Sequence, residues 1–175
     1  MVRNVLLAGA ALLSISGAAF ADPLPPAQDA ISQPVPDAMP NGVPYGTPIG
    51  LADANKLVVS AIADAKKHEW RLACAVVEPT GALVAYQKMD DTQYASADIA
   101  IAKARASATY RRSLKAFVDA IKAGNNGVLS LPGVIAVEGA MPIVKGGKMI
   151  GALGCSGGAS NQDATAVYDA LEEFK

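Results

Sequence analysis

The sequence predicts an α+β domain in which helices pack on an antiparallel sheet, and three observations carry that prediction. Two apolar runs, residues 72–77 and 82–88, are separated only by Glu78-Pro79-Thr80-Gly81, far too little chain for a crossover between parallel strands. Helical periodicity then occupies the chain from Ser96 to Ala123. Three further short apolar runs follow, residues 134–137, 141–145 and 148–154, and the last two are joined by Gly146-Gly147. The order α-β-β-α-α-β-β-β-α thus groups strands with strands, against a βαβ repeat.

Ahead of this domain the chain carries two segments of different composition. Residues 1–21 have a basic start at Arg3, an apolar run from Val5 to Ile15 and Ala19-Phe20-Ala21 before Asp22, the pattern of a secretory signal peptide cleaved after Ala21. Eight of the eleven prolines fall in residues 22–48, which lack apolar periodicity. Such a segment buries too little surface to offset its ordering entropy, and we expect a flexible arm. Residues 49–175 are left as one domain with one core. The expected location is the periplasm or the cell exterior, with no membrane span in the mature form.

Each element has its own local reason. Leu51, Ala54, Val58, Ala61, Ile62 and Ala65 recur at helical spacing, so a helix spans 51–67. The unbroken apolar run 72–77 suits a central strand covered on both faces. Glu78-Pro79-Thr80-Gly81 suits a type I turn, with proline second and glycine fourth, and returns the chain along 82–88. Ser96 is placed to cap a second helix reaching Arg111, whose Ala97, Ala100, Ala104 and Ala108 make a small-residue face. A third helix covers 113–123 and ends at Gly124. Both glycines of Gly146-Gly147 can take positive φ, as a two-residue hairpin needs. After Gly157-Gly158, Ser160 followed by Asp163 reads as a helix start, and the last helix runs to the C-terminus.

The chemistry is sparse. Fifteen basic and 16 acidic residues, or 14 and 16 once Arg3 is removed, exclude a polyelectrolyte partner as the main target, so no nucleic acid is expected. His68 is the single histidine, and no glycine-framed serine, phosphate-binding loop, dinucleotide fingerprint, HExxH or CxxC accompanies it. No catalytic constellation is recognisable, and binding rather than turnover is expected. Cys74 and Cys155 both fall in strands; in an exported protein they can pair, and as small apolar residues they can equally fill a core. The junction at Ser156, Gly157 and Gly158, where a strand meets a helix N-terminus, offers N–H groups and a positive dipole end to an anion. The same glycines would also serve to pack helix against sheet. The expectation is that this corner walls a ligand recess.

From about Leu51 onward the chain resembles the GlcG/HbpS family, also called DUF336. The resemblance rests on Ala75-Val76-Val77 with Glu78-Pro79-Thr80-Gly81, Met89-Asp90, Ile99 to Arg105 with Arg111-Arg112, Leu131-Pro132-Gly133-Val134, Val137-Glu138-Gly139, Pro142-Ile143, Gly151-Ala152, and Ser156-Gly157-Gly158 with Gln162-Asp163. It implies a profilin-like layer of helices on a five-stranded antiparallel sheet of order 2-1-5-4-3, and homo-oligomers. That order would set Cys74 near Cys155. It also implies haem binding for some members and a small organic acid as ligand for others. If haem binds, His68 is the first candidate for the iron, with Met89, Met141, Tyr94 and Tyr110 behind it. Propionates would then seek Arg105, Arg111 or the N–H groups of Gly157 and Gly158.

Overall fold

The structure is a computed structural model and describes residues 43–175. The expected signal peptide and most of the expected arm, residues 1–42, lie outside the described residues. The chain runs α1 (Leu51–Lys67), β1 (Ala73–Val77), β2 (Leu83–Lys88), α2 (Ala95–Tyr110), α3 (Lys115–Lys122), a 3-10 turn (Asn126–Ser130), β3 (Ala140–Lys145), β4 (Lys148–Ser156) and α4 (Ser160–Glu173). The strands form one antiparallel sheet in the order β2-β1-β4-β3.

The sheet has four strands, not the five expected. Residues 134–137 form no ladder: Gly133 and Gly139, both at positive φ, bracket them, and Val134, Ile135 and Ala136 turn onto Leu114 and Phe117 of the α3 region. An apolar run marks burial, but burial against a helix leaves the same signature as burial in a sheet. The remaining order is the one the resemblance implied with that strand removed.

β1 is the central element, and every one of its five residues is fully buried. Cys74 and Val76 face α1 and α4, whereas Ala73, Ala75 and Val77 face α2, so the sheet is sandwiched between helices. Small side chains set the α2 spacing. Ala100, Ala104 and Ala108 are fully buried, and a Cβ on Gly154 of β4 would lie 2.6 Å from the Ala104 nitrogen. The β3–β4 turn places Gly146 at φ 57° and Gly147 at φ 73°, as two consecutive left-handed positions require.

Two local expectations change. Ser96 does not cap α2: the helix begins at Ala95, and the Ser96 hydroxyl is buried without a protein partner. The end of the arm is tied down. Gly46 N–H donates to the Met149 carbonyl and Met149 N–H to that of Pro44, both at 2.8 Å, so residues 44–46 run along β4 beyond the end of β1.

Candidate functional site

The strand–helix corner at Gly157 is filled by the chain itself. A Cβ on Gly157 would come within 2.1 Å of the Arg71 carbonyl, so this glycine allows contact between two stretches of backbone. The N–H groups expected to receive an anion already have acceptors. Asp163 Oδ1 takes the Gly158 N–H at 3.0 Å, and Gln162 Oε1 takes that of Ala159 at 2.8 Å. Asp163 is itself held by Lys103, whose Nζ donates to Asp163 Oδ2 at 2.8 Å and to the Cys155 carbonyl at 3.2 Å. Gly139 makes room for this pair, since a Cβ there would sit 2.8 Å from Lys103 Nζ. Ser156 is buried in β4. In the single chain, Ser156, Gly157 and Gly158 are therefore packing positions, and the alternative use of the glycines prevails.

The other expected residues are spread over the fold. Arg105 Nε donates to the Gly81 carbonyl at 3.0 Å and secures the β1–β2 turn. Arg111 caps α2 in the left-handed conformation, donates to the Val43 carbonyl at 3.2 Å and stands 5.1 Å from the centre of the Tyr45 ring. Both guanidinium groups thus serve the fold, and Arg105 lies at the opposite end of β1 from Gly157. His68 caps α1, exposed, with its ring stacked 4.5 Å from that of Trp70. Tyr110 donates to the Pro132 carbonyl at 2.6 Å, and Met89 sulfur accepts the Leu72 N–H at 3.4 Å. Met141 lines a smaller apolar groove between β3 and α4, and Tyr94 is 94% exposed. Among the described residues, no group of three or more His, Cys, Asp or Glu side chains is placed to hold a metal ion. No helix there is long and apolar enough to cross a membrane.

The corner does not wall the recess expected of it, since none of residues 156–163 lines the cleft that the structure does hold. A cleft of about 500 Å³ lies between the last turns of α1, Arg71 and the end of β2. Ile62 and Met89 give it apolar walls. Lys66, Arg71 and Lys88 bring three cations to it, and Asp90 and Asp91 close it. Arg71 connects the two places, because its carbonyl packs on Gly157 while its residue lines the cleft. Two stretches contribute, residues 62–71 and 87–91, so no contiguous motif announces the cleft. The one available hint is the density of charge on either side of β1, at residues 66–71 and 88–91.

Comparison with known proteins agrees with this architecture. Residues 49–172 match the model of a family named HbpS-like and described as haem degrading protein HbpS-like. Protein GlcG of Escherichia coli strain K12 is 33% identical over 103 residues, which are 59% of this chain and 77% of that protein. The crystal structure of Klebsiella pneumoniae protein ORFY, assigned to DUF336, superposes with a TM-score of 0.69 at 25% identity, covering 78% of this chain and 97% of the other. A PduOC:haem complex superposes with a TM-score of 0.66 at 22% identity over 72% and 94% of the two chains, a likeness of fold.

Proposed function

The chain belongs to the HbpS-like family, and from that premise we propose that it is an exported haem-binding protein serving haem capture, storage or sensing. The family match over nearly all of residues 49–175 carries this reading, and the haem complex of a protein with the same fold supports it. The family description names degradation; binding is the step that every such fate of haem shares.

The chain's own donors fit the group in part. Bound haem would supply an iron centre, and exposed His68 is the residue that would offer it a nitrogen. Met89 and Tyr110 are engaged within the chain, as are Arg105 and Arg111, which leaves them poorly suited to the porphyrin. Hemin titrated into the purified protein should produce a saturable Soret shift that weakens in His68→Ala. A flat titration would remove the reading, whereas unchanged binding in the variant would remove only the ligand assignment. Export is tested by the N-terminal residue of the product recovered outside the cytoplasm, expected to be Asp22, and homo-oligomers by sedimentation.

A second reading is favoured by the cations around the cleft. The protein would be a periplasmic enzyme or accessory protein that binds a small organic carboxylic acid. A thermal-shift screen of such acids beside hemin separates the two, since a ligand specific for the folded state raises apparent stability.

A further inference from the structure

We infer that the cleft between α1, Arg71 and β2 is a carboxylate-binding site for a ligand with an apolar body, recognised by Lys66, Arg71 and Lys88. The inference rests on the reading above in either of its forms and names the chemical group that is bound.

The charges at the cleft are arranged for an incoming partner. Ion pairs among the described residues use Lys56, Lys67, Lys103, Lys115, Lys145 and Lys175. Lys66, Arg71 and Lys88 are in none of them, although Asp90 and Asp91 line the same cleft. Lys66 and Lys88 donate no side-chain hydrogen bond within the described chain. Lys88 instead stands 5.7 Å from the centre of the Tyr94 ring, and Arg71 donates one bond, to the Glu69 carbonyl at 3.3 Å. Most of the N–H groups of the three side chains therefore remain for a ligand, and a guanidinium beside ammonium groups suits the two oxygens of a carboxylate.

The surroundings narrow the ligand further. The aspartates and the carbonyl end of α1 offset much of the positive charge, so recognition depends on directed hydrogen bonds more than on a general field, and polyanions are disfavoured. Ile62 and Met89 give a hydrocarbon body somewhere to lie. Among the described residues, two of the three non-glycine positions at positive φ lie at this cleft, Glu69 beside it and Asp91 in its wall, each at φ 60°. Such backbone is held where the fold over-determines a position, and here it aims the segments that bring Arg71 and the end of β2 together. A tetrapyrrole propionate and a small organic acid both present the required chemistry.

The test uses the full chain and the Lys66→Ala/Arg71→Ala/Lys88→Ala variant, which alters only exposed side chains; thermal melts check its folding. Hemin, hemin dimethyl ester, butyrate and benzoate are the probes, at low and at 0.5 M salt. If propionates are the source, hemin binds the wild type at least tenfold more tightly than its ester, and the triple variant loses that advantage. If small acids are the source, butyrate or benzoate raises the melting temperature of the wild type and not of the variant, with hemin silent. Hemin binding of equal strength in wild type and variant overturns the site while leaving the haem reading intact. Failure of all four probes to bind the wild type overturns both.

Discussion

Lys103 Nζ lies 2.8 Å from Asp163 Oδ2 with both side chains almost wholly removed from water, tying α2 to the first turn of α4 past the end of β4. A buried ion broken from its partner is costly because the survivor stays desolvated. Lys103→Met, which leaves the Asp163 carboxyl buried without its cation, should destabilise the protein by about 3–5 kcal/mol, and Asp163→Asn by less, because burial already disfavours the charged carboxyl. The double variant, in which Asn still accepts the Gly158 N–H, should recover at least half of the summed loss. Urea denaturation of the four proteins gives the coupling, and strictly additive losses would refute it.

The same pair sets a pH dependence. Burial is the strongest influence on Asp163 and pushes its carboxyl above the ordinary aspartate value, with the Lys103 hydrogen bond and charge and the N–H groups of Gly158 and Gly157 pulling the other way. A carboxyl raised on folding holds more protons in the folded state between its unfolded value, about 3.9, and its folded one. Its contribution is complete below the unfolded value and is lost as pH rises through the folded value. The stability of the wild type relative to Asp163→Asn should therefore increase on acidification from neutrality toward pH 4. A relative stability that declines over that range in chemical denaturation would contradict this.

Cys74 and Cys155 are register partners in β1 and β4, with Cα atoms 4.1 Å apart, and are joined by a disulfide. The bond links positions 81 residues apart, a long loop whose closure restricts the unfolded chain. Cys74→Ala/Cys155→Ala should lose about 2–5 kcal/mol while keeping the fold. Denaturation midpoints with and without reductant check the size, and an unchanged midpoint in both would contradict it.

Gly154→Ala should loosen α2. The added Cβ meets backbone atoms of Ala100 and Ala104, which cannot swing away as a side chain would. A loss of about 1–3 kcal/mol, with faster hydrogen exchange along α2 than along α1, is expected. Uniform exchange in all helices would argue against this contact as the determinant.

Arg111→Gly separates two effects at one position. Glycine relieves the left-handed cap at φ 51°, worth about 1 kcal/mol, but removes the guanidinium that holds Val43 and covers Tyr45. Global stability should change little, while residues 43–49 become markedly more sensitive to protease than in the wild type. Equal protection in both proteins would show that the Met149 bridge suffices.

Much of the fold was legible because its signals are local. Gly146-Gly147, Glu78-Pro79-Thr80-Gly81 and the spacing of Ala54, Val58 and Ala61 each prescribe a conformation without reference to distant residues. The disulfide needed the strand order, which brings Cys74 opposite Cys155 only after β4 inserts beside β1. Lys103 lies three residues from Ala100 and four from Ser107 on the buried face of α2, and that periodicity was the available hint to its burial. At the corner, Asp163 read as a helix-start acid is also the group that occupies the anion position. For the cleft the sequence offered only the charge density at residues 66–71 and 88–91, since its cations gather through the fold that brings the end of α1 beside the end of β2.

The order β2-β1-β4-β3 leaves both lateral ladders of the sheet without a further strand among the described residues. Pro142 interrupts donation along one rim, and Lys145 on it, like Gln87 and Lys88 on the other, keeps a polar coat there. Copies of this chain are thereby discouraged from zipping rim to rim into a fibre. A variant stripped of that proline and those lysines should accordingly aggregate more readily than the wild type.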